Sequence, residues 1–217
     1  MASCVMHIAV ANEIYKKLSP KMEIDYYDFI LGSIAPDIWK QIGKSKKETH
    51  FVGELNDGVP VLELFLDKYI NSLNKSFELG YYVHLYTDKL FYLDFLPLFV
   101  RDDIFYSTIK CLDGSTINVD LSDRREILYN DYTNLNVFLI DAYNLNLKLF
   151  YTEFRKPKTE IVESYADRLD ILIDNMGIII NNSSFDKNYV IDTDSIVSFI
   201  DDCVNQIYDN IKSLIIC

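Results

Sequence analysis

The chain is short of histidine, tryptophan, glycine and positive charge. Among 217 residues there are three histidines, one tryptophan, seven glycines and five prolines, and 21 basic side chains face 33 acidic ones for a net charge of -12. That balance excludes a nucleic-acid backbone or an anionic membrane surface as a partner held by charge alone. The four cysteines, Cys4, Cys111, Cys203 and Cys217, form no C-x-x-C pair and no dense spacing, which excludes both a disulfide framework and a thiolate zinc knuckle. The first residues, "MASCVMHIAVANEIYKKL", lack a positive leader and place His7, Asn12 and Glu13 inside the apolar stretch, so no secretory signal is expected. No window reaches 18 uninterrupted apolar residues. Reduced thiols and the missing signal together predict a cytoplasmic protein.

What the chain has is apolar and aromatic mass: 49% of its residues are hydrophobic, with 16 tyrosines and 13 phenylalanines. This is enough for one sizeable core. The dominant period is helical. Val5, Ile8, Ala11, Ile14, Tyr15 and Leu18 trace a first helix that Ser19-Pro20 stops, and a second runs from about Asp25 to Ile34, closed by Pro36. "VPVLELFLDKYINSL" predicts a third, and "FELGYYVHLYTDKLFYLDFL" a long, central fourth with few polar positions. Asp113-Gly114, set between short alternating runs in 107–121, predicts a small β-hairpin with a two-residue turn. The helical period returns from Asp123 to Tyr143, and amphipathic stretches follow near 159–180 and 194–216, joined through Asn181 to Ser184. No repeat or linker divides the chain. The expected architecture is all-α, a single domain over 1–217 of roughly seven helices.

Within the fourth helix, His84 and Asp88 stand four apart on one face, and Gly80 extends the same stripe by a turn without bulk. A carboxylate and an imidazole that converge on one point suit a metal ion, although such a pair also forms a plain helix-surface hydrogen bond. The remaining candidates also precede residue 90: His7 in the first helix, Asp37 at the corner made by Pro36, and His50 in "KKETHF". Each has a plainer reading. His7 could be a hydrogen-bonded core residue, Asp37 a turn cap, and His50 part of a solvated loop beside Lys46 and Lys47. Trp39, next to Asp37, could line an apolar pocket.

Taken in order, a histidine near the amino terminus, "LGSIAPD", "THF" and "LGYYVHLYTD" resemble the zinc-dependent phospholipase C family of all-helical hydrolases, to which single-strand-specific zinc nucleases are related. The resemblance covers residues 1–95 and continues more loosely through "YNDYTNLNVFL". It implies that Asp37, His50, His84 and Asp88 ligate one zinc and that Asp88 bridges to a second zinc bound by His7. Family members with three metals use further histidines downstream. This chain has none after His84, so one or two zinc ions are expected, with Asp94 in "FYLDF" and Asp131 in "YNDY" the only replacements in place.

The implied activity is metal-dependent hydrolysis of a phosphoester, acting as a phosphodiesterase, with zinc-activated water and Asp37 as the catalytic carboxylate; a phospholipid headgroup is the family's usual substrate. No nucleic acid is expected as a partner. The alternative is a catalytically degenerate helical protein that keeps one structural metal, distinguished by a closed coordination shell.

Overall fold

The computed structural model describes residues 2–54, 58–184 and 187–215. Ile216 and Cys217, the end of the apolar "SLIIC" run, lie outside them. Helix α1 (Cys4–Leu18) starts at Ser3, whose hydroxyl accepts from the Met6 N–H at 3.2 Å, and stops at Ser19 as the Ser-Pro signal predicts. Helix α2 (Tyr26–Ile34) is capped by Asp25, which accepts from the Asp28 N–H at 2.9 Å. A 3₁₀ turn, Ala35–Ile38, carries Pro36 in its first turn, and two one-turn helices follow, α3 (Trp39–Ile42) and α4 (Lys46–Thr49). These short pieces left no periodic signal in the sequence.

Helix α5 (Leu62–Tyr69) leads to α6 (Ser76–Leu90), which is the central element the sequence predicts. Phe77, Tyr81 and Tyr82 on α6 are fully buried, each burial contributing about 2–3 kcal/mol. At Phe91–Phe95 the helix widens into a π-turn, then tightens before strand β1 (Val100–Asp102). The predicted hairpin is present as β2 (Tyr106–Lys110) paired antiparallel with β3 (Thr116–Asp120), and β1 adds a third strand on the other edge of β2. Its turn is wider than the two residues expected. Lys110 pairs with Thr116, and Cys111–Ser115 form the loop, with the Cys111 N–H donating to the Ser115 carbonyl at 2.9 Å and Gly114 taking the left-handed φ of 85°.

Helix α7 (Leu121–Ala142) matches its expected span. Helix α8 (Leu169–Asn181) is shorter than the 159–180 pattern, because Tyr165 at φ 47° breaks the ladder and the preceding residues run irregularly. Helix α9 (Thr193–Ile215) agrees with the sequence, and Asp192 holds its start by accepting from the Ser195 N–H at 2.7 Å. The fold is thus all-α with a small sheet. No helix among the described residues is long and apolar enough to cross a membrane.

The crossing of α2 over α6 fixes everything downstream. A Cβ placed on Gly80 would stand 2.0 Å from the Phe29 carbonyl oxygen, and one on Gly32 2.2 Å from the Phe77 carbonyl oxygen, so the two backbones touch at a reciprocal pair of glycines. No other residue type allows that approach.

Two downstream aspartates considered as replacement ligands lie elsewhere. Asp94 is exposed on the π-turn. Asp131 is fully buried on α7, but its carboxylate accepts from the backbone N–H groups of Tyr189, Val190 and Ile191 at 2.9, 2.7 and 2.8 Å. It pins the approach to α9. Asp131→Ala should strand those donors and cost about 3 kcal/mol, read as a lowered urea midpoint; an unchanged midpoint would show that water replaces the carboxylate.

Candidate metal centre

All five residues singled out in the sequence come together between α1, α2, α4 and α6. His50, His84 and Asp88 are fully buried, with His7 at 1% and Asp37 at 6% exposure. They fall into two overlapping groups of donor atoms, each within 4.8 Å: Asp37, His50 and His84 in one, His7, His84 and Asp88 in the other.

Helix α2 and the 3₁₀ turn after it set the first group. Because the glycine crossing brings Ser33 against α6, the Ser33 carbonyl lies 2.8 Å from His84 Nδ1. A carbonyl oxygen only accepts, so Nδ1 carries the proton and Nε2 presents its lone pair. A backbone carbonyl behind an imidazole in this way is the usual support for a metal-ligating histidine. Three residues later Pro36 turns the chain, leaving Asp37 Oδ1 3.6 Å from His50 Nε2. His50 Nε2 is itself 3.2 Å from His84 Nε2, while its Nδ1 lies 2.9 Å from the Thr49 hydroxyl, which can serve either tautomer. Tyr81 fixes this segment by donating to the Thr49 carbonyl at 2.5 Å, and the chain then leaves through Phe51 at the left-handed φ of 51°, its ring packed edge-on against Phe65. The backbone is forced where His50 must point inward.

Asp88 links the two groups. Its Oδ1 is 3.4 Å from His7 Nε2 and accepts from the Ala2 N–H at 3.0 Å, while its Oδ2 is 3.6 Å from His50 Nε2. His7 and His84 stack with ring centres 3.8 Å apart and planes 13° from parallel.

The donor set fits zinc on three grounds. First, zinc bonds of about 2.0–2.1 Å in a tetrahedron place neighbouring donors about 3.3–3.4 Å apart, close to the 3.2 and 3.6 Å separations here. Second, both ring nitrogens of His7 and Oδ1 of Asp37 are buried without a hydrogen-bond partner, an expense that a cation removes. Third, imidazole nitrogens and carboxylate oxygens are ordinary zinc donors. Cys4, buried nearby, is not one of them: burial, with Asp37 adding to it, pushes its thiol up to about 12, so it stays protonated.

Two lysines that carry no spacing signal toward the site stand beside its carboxylates. Lys46 Nζ is 3.3 Å from Asp88 Oδ2 and Lys40 Nζ 3.6 Å from Asp37 Oδ1. Burial acts to raise both carboxyls, but Lys46 together with His7 beside Asp88, and Lys40 together with His50 and His84 beside Asp37, outweigh it and hold both below the usual carboxylate range. Burial lowers His50 and His84, and His7 depresses His84 further. The sign of the pH response follows. A histidine lowered on folding contributes stability that is present above the unfolded value of about 6.5 and lost as pH falls through it; the two carboxylates add a second loss only below about 3.9. Metal-free protein should therefore show a lower urea midpoint at about pH 5.5 than at about pH 7.5. An equal or higher midpoint would contradict the depressed histidines.

A cavity of about 300 Å³ opens beside Asp37, with Lys40 and Arg125 among its polar residues and Leu172, Met176 and Ile179 of α8 as an apolar wall. Trp39 does not line it. Tyr129 and Tyr132 supply its aromatic surface, and the Arg125 guanidinium covers the Tyr129 ring at 5.2 Å.

Residues 6–90 match the zinc dependent phospholipase C family. The matched segment contains all five converging side chains, both lysines and the α2–α6 crossing. No curated protein and no solved structure gives a significant match to the chain. The family match and the buried His/Asp groups together support a metal-dependent hydrolase.

Proposed function

We propose that the protein hydrolyses phosphoesters of apolar alcohols, phospholipids among them, with one zinc held by Asp37, His50, His84 and Asp88 and with His7 and Asp88 offering an incomplete second position. The observation that carries this reading is the meeting of His50 Nε2 and His84 Nε2 at 3.2 Å beside a buried Asp37 oxygen that makes no hydrogen bond, within a segment that matches a zinc-dependent family. Zinc bound there supplies Lewis acidity and an activated water.

The chain's own groups do the rest. Ser33 and Thr49 fix the two imidazoles in orientation, and the buried Tyr81 holds the Thr49 carbonyl in place. Asp37 faces the cavity and stays ionised, and a carboxylate held so far below neutrality is a weak base. Its part is to orient the attacking water by accepting a hydrogen bond. Lys40 and Arg125 neutralise the phosphoryl oxygens, and the α8 wall takes the apolar portion of the substrate.

The reading is tested by metal analysis of purified protein together with zinc-dependent hydrolysis of model phosphoesters. One equivalent of zinc, with turnover lost on chelation and restored by zinc, is expected. Protein without bound zinc, whose hydrolysis stays at background when zinc is added, would sink the proposal.

One observation favours a second reading. Asp88 Oδ2 lies as close to His50 Nε2 as Asp37 Oδ1 does, at 3.6 Å, so the same four protein donors can close the shell with no position left for water, the arrangement of structural zinc sites. Cobalt substitution separates the two: a spectrum that shifts when inorganic phosphate is added marks an open position, and one that does not marks a closed site.

A further inference from the structure

Resting on the zinc centre proposed above, we propose that Lys40 and Lys46 set its charge so that it selects a dianionic phosphoryl group, that of a phosphate monoester, over the singly charged group of a phosphodiester. The charges within the centre are few. Asp37 and Asp88 are its carboxylates, and each already has an ammonium beside it, Lys40 at 3.6 Å and Lys46 at 3.3 Å. An imidazole ligates a metal only as the neutral base, so His50 and His84 add no charge to the loaded centre, and the two carboxylates are offset by the two ammonium groups. A single zinc then leaves an excess of two positive charges. Asp37 is the one carboxylate among the cavity's lining residues, and Arg125 adds a further positive charge there.

A buried excess of this size has to be matched by the ligand, because neutralising charge in a site of low polarity is worth far more than in water. With Arg125 counted, a monoester dianion leaves one of the three positive charges uncompensated, whereas a diester monoanion leaves two. A choline-type cation is disfavoured twice, since Arg125 already covers the Tyr129 face that would receive it and both lysines repel it.

Lys46 is also fixed where it stands. Its three N–H donors meet three acceptors at 3.3 Å, namely Asp88 Oδ2, the Gly58 carbonyl and the Tyr92 hydroxyl. These contacts hold the ammonium against Asp88, so its charge stays in the centre whichever ligand enters.

The test compares inorganic phosphate, largely dianionic at about pH 8, with dimethyl phosphate, a monoanion, as calorimetric ligands of the zinc-loaded protein. Zinc is quantified in the same samples. Wild type should bind phosphate at least about tenfold more tightly than dimethyl phosphate. Lys46→Met and Lys40→Met should each lower that ratio severalfold, and Lys46→Arg should restore it, with thermal melts establishing that each variant is folded. Equal binding of the two anions by zinc-loaded wild type overturns this inference alone. So does a ratio that both methionine variants leave unchanged. Wild type that takes up no zinc overturns the zinc centre and this inference with it.

Discussion

Asp88→Asn is expected to weaken zinc binding severely and reduce zinc-dependent hydrolysis to background, the largest effect of any single substitution in the centre. Asp88 is fully buried, and its two oxygens serve four neighbours: Oδ1 faces His7 and the Ala2 N–H, Oδ2 faces His50 and Lys46. Asparagine keeps the shape, but it removes the charge and turns one acceptor into a donor aimed at groups that are themselves donors. Zinc affinity should fall at least about a hundredfold, at the upper end of what outer-shell changes alone produce. The metal-free protein should also lose about 3 kcal/mol, since the Lys46 ammonium is left partly buried without its counter-ion. Calorimetric zinc titration and urea unfolding read the two effects separately. Zinc binding like that of wild type would remove Asp88 from the ligand set.

Gly80→Ala should be the most damaging substitution outside the ligands. A Cβ there would lie 2.0 Å from the Phe29 carbonyl oxygen, and the obstacle is backbone, with no flexible side chain to swing away. Helices α2 and α6 must separate, so the expected cost is about 3 kcal/mol or more, above the usual range for an added methyl in a core. The separation also withdraws the Ser33 carbonyl from His84 Nδ1, now at 2.8 Å. Zinc affinity should therefore fall along with the urea midpoint, although Gly80 touches no donor atom. Gly32→Ala should behave alike, its Cβ meeting the Phe77 carbonyl oxygen at 2.2 Å. A Gly80→Ala protein as stable as wild type would show that the crossing can relax and that the glycine pair does not set the centre's geometry.

The parts of this centre that rest on side-chain period were legible in the sequence. The stripe Gly80, His84, Asp88 belongs to one face of a long helix whatever surrounds it, and Pro36 announces the corner that holds Asp37. The helices α1, α2, α6, α7 and α9 could be read for the same reason, as each carries several turns of apolar spacing. What could not be read is what depends on backbone or on distant chain. The Ser33 carbonyl leaves no mark in residue type, and α3 and α4, one turn each, are too short to show a period. Lys46 stands beside Lys47 and looked like part of a solvated loop around His50; the left-handed Phe51 and the Tyr81 hydrogen bond to Thr49 turn that segment inward instead. Asp131 is the converse case. Its position in "YNDY" fits a downstream ligand, but three backbone N–H groups from residues 189–191 reach it first.

X-ray absorption at the zinc edge tests the central claim most directly, because it counts the donors and identifies their elements without reference to substrate. A shell of nitrogen and oxygen alone at about 2.0–2.1 Å, with imidazole scattering from two histidines, is the predicted result. A sulfur donor at about 2.3 Å, or a spectrum without imidazole, would contradict a centre built from His50, His84 and their two aspartates.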